Sequence, residues 1–156
     1  TNIHVMNQSM LVVAQNLRQV GFNVQLASSD WAGVVTRRAN QNPPDQGGWN
    51  VFYTWSGGNA ASSPISLFAH AAIGKKAWFG WPENAEIEKM RTEWAYAPDV
   101  EARRNVARRI NKTMLDYVHD VKTGQWVSPV AYRGDRLRGL LAVPEVVPWW
   151  NVERYA

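Results

Sequence analysis

Apolar residues recur along much of this chain at spacings that distinguish helix from strand. In "SMLVVAQNLRQVGF", residues 9–22, Met10, Val13, Leu17 and Val20 fall at helical intervals. Ser9 is a candidate N-cap, and Gly21 stands where a left-handed C-terminal cap belongs. "NVQLAS", residues 23–28, then alternates, with Val24 and Leu26 about Gln25, and predicts a short strand. "SSDWAGVVTRRAN" predicts a second helix, capped by Ser29 or Asp30, with Trp31, Val34 and Val35 on one face. "QNPPDQGG" is a turn-rich loop. "WNVFYTW", residues 49–55, places Trp49, Val51, Tyr53 and Trp55 on one face and Asn50, Phe52 and Thr54 on the other. Both faces carry large side chains, as in an interior strand covered on two sides.

The second half is more helical. Pro82 suits the first turn of a helix lined by Ile87, Met90 and Trp94. Residues 98–122 predict the longest helix, capped by Asp99, with Val106, Ile110, Met114, Tyr117 and Val121 as its core stripe. "QWVSPVAYR", residues 125–133, is strand-like, and Pro129 moves it to an edge or a connector. The tail from Arg136 has no clear period. Helices, glycines and short strands in this order predict an α/β fold.

Composition narrows the classes. At 156 residues and 46% hydrophobic content the chain fits one domain with a real core. It has no cysteine, which removes disulfides, thiolate catalysis and cysteine metal sites. No apolar run approaches the ~20 residues of a membrane span. No stretch reads as a signal peptide, and an opening at Thr1 rather than Met points to a processed or truncated product. The net charge is +4, but the arginine pairs of "EARRNVARRINK" are interleaved with acidic and apolar residues, the pattern of a solvated helix face.

Candidate chemistry is sparse. His4, His70 and His119 are far apart and lack ligating neighbours at useful spacing, so no metal site is expected. "WSGG" lacks the first glycine of a nucleophile elbow. Glu83, Glu86 and Glu88 complement a helix dipole rather than form a glycosidase pair. No enzyme is expected. A binding reading remains. Trp49, Tyr53 and Trp55 lead into Gly57, Gly58 and Asn59, and Trp78, Phe79 and Trp81 flank Gly80. Gly57 and Gly58 suit positive φ or close approach to a bound molecule. From spacing alone, the stronger reading of these aromatics is as core, with the glycines as turns.

The succession "LRQVGFNVQLASSDWAGVVTRRANQNPPDQGGWNVFYTW", "GWPENAEIEKMRTEWAYAPDVEARRNVARRIN" and "PWWNVERYA" resembles the C-terminal third of the family 5 extracellular solute-binding proteins, the peptide/nickel-type receptors of ABC importers. Each motif alone is weak; their order and spacing are specific, and the resemblance covers essentially the whole chain. It implies a periplasmic-binding-protein-like lobe, a small sheet flanked by helices, incomplete because intact members are longer. Residues 1–125 would form the C-terminal ligand-binding lobe, lacking a first strand ahead of Thr1. Residues 126–156 would be a hinge strand and a tail packing on the other lobe, with Val146, Val147, Trp149 and Trp150 in that contact. The implied partners are a peptide or related amphipathic solute, ABC permease subunits and the missing N-terminal lobe. Self-association of the fragment is a further expectation, and nucleic acid is not among the partners. The implied location is the periplasm, or the cell exterior with a membrane anchor. No cofactor is implied.

The expected ligand contacts are Trp31, Arg37, Trp49, Trp55, Ser56, Gly57, Gly58 and Asn59, with Arg37 as an anion partner; a core role suits Trp31 and Trp49 equally. Peptide binders of the family carry an aspartate just after the aromatic strand. "WSGGNAASS" has no carboxylate, so a peptide would be held through its backbone, or the ligand is a different amphipathic solute. The rival class is a basic, aromatic nucleic-acid-binding module using the arginine pairs and loop tryptophans, which would bind single strands with steep salt dependence.

Overall fold

The computed structural model describes residues 3–141 and 148–155. It shows a mixed architecture of four α-helices, several 3₁₀ turns and one two-stranded sheet among those residues. The chain divides into two compact units, Thr1–Trp55 and Ser56–Ala156.

In the first unit, helix α1 spans His4–Gln19. It begins five residues before the predicted Ser9 cap, which lies inside it. The apolar period runs further upstream than the cap signal implied: Met6 and Ala14 are its buried residues. Its C-terminus closes as expected. Gly21 sits at φ +97, and the amides of Gly21 and Phe22 donate to Arg18 O and Leu17 O, both at 3.0 Å, the paired bonds of a Schellman ending. The strand predicted at 23–28 does not form. Alternation specifies an extended chain, but a strand also needs a ladder partner, and none of the described residues supplies one. Helix α2, Trp31–Arg38, is capped by Asp30, whose carboxylate accepts from Gly33 N at 2.8 Å.

A 3₁₀ turn, Pro44–Gln46, leads into Gly47 and Gly48. Gly48 must be glycine, because a Cβ there would lie 1.7 Å from the carbonyl oxygen of Asn42. The interior strand predicted at 49–55 is also absent. Trp49 meets Phe52 edge-to-face at 4.7 Å. Those residues would point to opposite faces of a strand, so the chain bends between them. Val51 and Trp55 are exposed, which a strand covered on both sides would not allow.

In the second unit, 3₁₀ turns at Ala60–Ser62, Phe68–His70 and Gly74–Lys76 precede α3, Ala85–Ala95. Asn84 caps α3, accepting from Glu86 N and Ile87 N at 3.0 and 3.1 Å. Pro82 therefore lies ahead of the helix rather than in its first turn; its carbonyl accepts from Gly74 N at 2.8 Å. Helix α4, Val100–Tyr117, is capped by Asp99, as predicted. It stops five residues short of Lys122, because Val118 adopts the left-handed region at φ 54 and ψ 38. Val121 is consequently exposed rather than part of the core stripe.

α3 and α4 pack together through Ile87, Met90, Val106, Ile110 and Met114, with Ala72 inside the same cluster and Trp94 against it. Each fully buried isoleucine contributes about 1.5–3 kcal/mol through the surface it removes from water. Residues 125–133 form no strand; the whole stretch is exposed and joins no ladder among the described residues. The sheet lies later, where no period was legible. β1, Leu137–Arg138, pairs antiparallel with β2, Glu153–Arg154. Arg138 fastens the pair by donating twice to Glu153, at 2.9 and 2.7 Å. Val146 and Val147 fall outside the described residues.

Candidate ligand-binding residues

Three of the eight sequence-nominated residues meet around α2. Arg37 reaches the following loop and donates from Nε and Nη2 to Gly48 O at 3.1 and 2.9 Å. Its fork thereby grips a carbonyl and clamps the glycine turn to the helix. Trp49 Nε1 donates to Arg38 O at 3.1 Å, so the indole is fixed to the end of the same helix. The Arg38 guanidinium lies 5.6 Å from the centre of the Trp31 ring, and burial lowers its pKa from the ordinary value. Trp31 and Trp49 are half-buried. Trp55, the last residue of the first unit, is 48% exposed.

The other four open the second unit. Gly57 O accepts from Ala61 N at 3.1 Å, and Asn59 O accepts from Ser62 N and Ser62 Oγ at 3.2 and 2.6 Å. Ser56–Asn59 thus start the 3₁₀ turn Ala60–Ser62. The expectation of positive φ is corrected: neither Gly57 nor Gly58 is among the left-handed glycines, and a Cβ on Gly58 would meet nothing within 4 Å. The carbonyls fold the loop locally, while the Gly57 and Gly58 amides donate to no backbone acceptor among the described residues.

Sequence spacing missed a member of the second aromatic group. Phe68 meets Trp78 at 5.1 Å, Trp78 meets Phe79 at 5.3 Å, and Phe79 meets Trp81 at 6.5 Å. Ten residues separate Phe68 from Trp78, too far for any local period to connect them. Gly80 and Trp81 both have positive φ, at 101 and 48. A tryptophan there is a strained conformation, held by the packing around it.

The segment carrying Phe68 is stitched to α3 by charge. Glu88 Oε1 accepts from Ala72 N at 2.6 Å and pairs with Arg91 Nη1 at 2.7 Å, while Arg91 Nε donates to Pro64 O at 3.0 Å. On α4 the arginines are engaged within the fold: Arg104 with Glu101, Arg109 with Glu93, and Arg103 over the Trp94 ring. Among the described residues there is no group of three or more metal-ligating side chains, and no helix is long and apolar enough to cross a membrane.

No protein-family model matches the chain. A probable peptide ABC transporter periplasmic-binding protein of Sinorhizobium fredii is 38% identical to it over 144 residues, 92% of this chain. The chain spans 27% of the length of that relative. Over nine-tenths of its sequence, this chain is a homologue of an ABC-transporter periplasmic-binding protein.

Proposed function

We propose that this chain forms part of the solute-binding component of a periplasmic ABC importer, taking a peptide or a related amphipathic solute. The observation that carries the reading is the match, over 92% of this chain and 27% of the relative's length, to a probable peptide ABC transporter periplasmic-binding protein. In this reading residues 1–125 belong to the C-terminal lobe and residues 126–156 pack on an N-terminal lobe. The exposure of Trp126, Val127, Val130, Tyr132, Trp149 and Trp150 supports that division, since large apolar side chains left in water mark a surface made to be covered. Second copies of the isolated chain would compete for the same surface.

Ligand contacts both lobes, so it favours the closed arrangement by its differential affinity for it. Trp31, Trp49 and Trp55 offer ring faces to apolar side chains of the solute. Ser56, Gly57, Gly58 and Asn59 offer amides and a hydroxyl to its backbone. Arg37 serves as an anion partner only by exchanging its bonds to Gly48 O, so its first role is to hold the loop. Permease subunits would receive the closed receptor.

The test is calorimetric titration of the receptor containing this chain with a library of short peptides, alongside Trp55→Ala. A buried tryptophan anchor is worth about 2 kcal/mol or more. The variant should therefore bind at least ~30-fold more weakly with its thermal midpoint unchanged. Equal affinity in both proteins would remove Trp55 from the site, and no heat with any peptide would reject the solute class.

A further inference from the structure

Two histidines of the second unit lie outside the proposed ligand contacts. His70 ends the 3₁₀ turn Phe68–His70, and His119 follows Val118 after α4. The two are electrostatic neighbours. His70 Nδ1 and both ring nitrogens of His119 are buried without a hydrogen bond of normal geometry to any described residue; burial disfavours the charged form of His119, while the Asp120 carboxylate and then the Ala69 backbone favour it. The Tyr117 ring covers His119 at 5.5 Å, and the Tyr117 hydroxyl is itself fixed by Glu83 N and O, both at 3.0 Å.

The charges around the pair are already spoken for. His70 faces Lys122, Asp120 and His119 from the segment after α4, and Arg91 from α3. Asp120 is paired with Lys122, and Glu88 with Arg91. An imidazolium at His70 would be disfavoured by Lys122, His119 and Arg91 and favoured by Asp120, whose carboxylate already pairs with Lys122. Desolvation, with Lys122 next in size, pushes the His70 pKa down to about 4; desolvation also lowers that of His119. The connection is under backbone strain as well. Val118 is β-branched and held at φ 54, which an isolated chain would avoid.

We propose that His70 and His119 form an acid-released latch: neutral, they fasten the segment after α4 to the turn at 68–72, and protonated, they repel and free it. The fastened state binds fewer protons than the released one. The latch is therefore fully engaged above the ordinary histidine pKa near 6.5 and is lost as pH falls from there toward 4. Between pH 8 and pH 5 the shift at His70 corresponds to an opening equilibrium about 30-fold larger; its partial exposure screens this to about tenfold.

Amide hydrogen exchange on the chain at pH 7.5 and 5.0, expressed as protection factors, reads the opening. The reporters are His70, Ala71, Ala72 and Val118, whose amides donate to Leu67 O, Phe68 O, Glu88 Oε1 and Met114 O. Their protection should fall about tenfold at pH 5 while that of Ile110 and Met114 holds, and His70→Gln should flatten the response. An NMR titration of the wild-type imidazoles stands beside it, needing no variant: His70 should titrate well below 6.5. Unchanged protection at the four reporters, or a His70 midpoint at or above 6.5, would overturn the latch. Neither result depends on whether the chain binds a solute.

Discussion

Replacing Glu88 by alanine should loosen the 64–72 segment from α3. The carboxylate makes three bonds: it accepts from Ala72 N at 2.6 Å, and it pairs with Arg91 Nη1 through both oxygens, at 2.7 and 2.8 Å. Arg91 in turn donates to Pro64 O. An exposed ion pair would be worth under about 1 kcal/mol. Here the side chains are only 28% and 14% exposed, so most of the pair is out of water. Loss of a charge-assisted bond to a backbone amide costs about 1.5–3 kcal/mol, and the part-buried guanidinium is left without its counterion. Discounting for the exposed fraction, Glu88→Ala should cost about 2–3 kcal/mol locally. Exchange of the Ala72 amide should then accelerate roughly 30-fold or more. Glu88→Gln keeps an acceptor but loses the charge, and should fall between. A double-mutant cycle with Arg91→Ala should show a coupling of about 1 kcal/mol or more. An Ala72 exchange rate within twofold of wild type in Glu88→Ala would show that Glu88 does not hold this segment to α3.

Ile110→Ala leaves a cavity between α3 and α4, where Ile110 is 1% exposed, and should destabilise the second unit by about 2–5 kcal/mol in urea unfolding. Gly48→Ala drives a methyl into Asn42 O; a cost of about 1–3 kcal/mol is expected, seen as faster exchange of the Gly48 amide that donates to Pro43 O. A stability equal to wild type in either variant would contradict the packing described for it.

The helices were legible because their signals are local. Asp30 and Asp99 are caps that act within three residues, and Ile87, Met90, Val106 and Ile110 follow a period that one helix enforces by itself. The strands at 23–28 and 49–55 were not, since alternation reports an extended chain and says nothing about a neighbour to pair with. The reverse error hid β1 and β2, which are two residues each, too short to carry a period. Val118 gave no warning that α4 would end there. A β-branched residue is among the poorest choices for a left-handed turn, so only the tertiary setting places it so. Of the nominated ligand residues, the α2 group was recognisable as aromatic and basic. That Arg37 grips the Gly48 carbonyl depends on an eleven-residue return of the chain that no spacing rule encodes. Phe68 joined the second aromatic group for the same reason.

If, as proposed, these residues belong to a solute-carrying periplasmic receptor, a solute should travel with the protein that contains them. Native mass spectrometry of the receptor containing this chain, recovered from periplasmic extract under mild conditions, tests it most directly. Adducts of peptide-sized mass that disappear on denaturation and are depleted by Trp55→Ala are expected. A bare protein mass from cells grown on a peptide-rich medium, or a receptor recovered only with the cytoplasm, would contradict it.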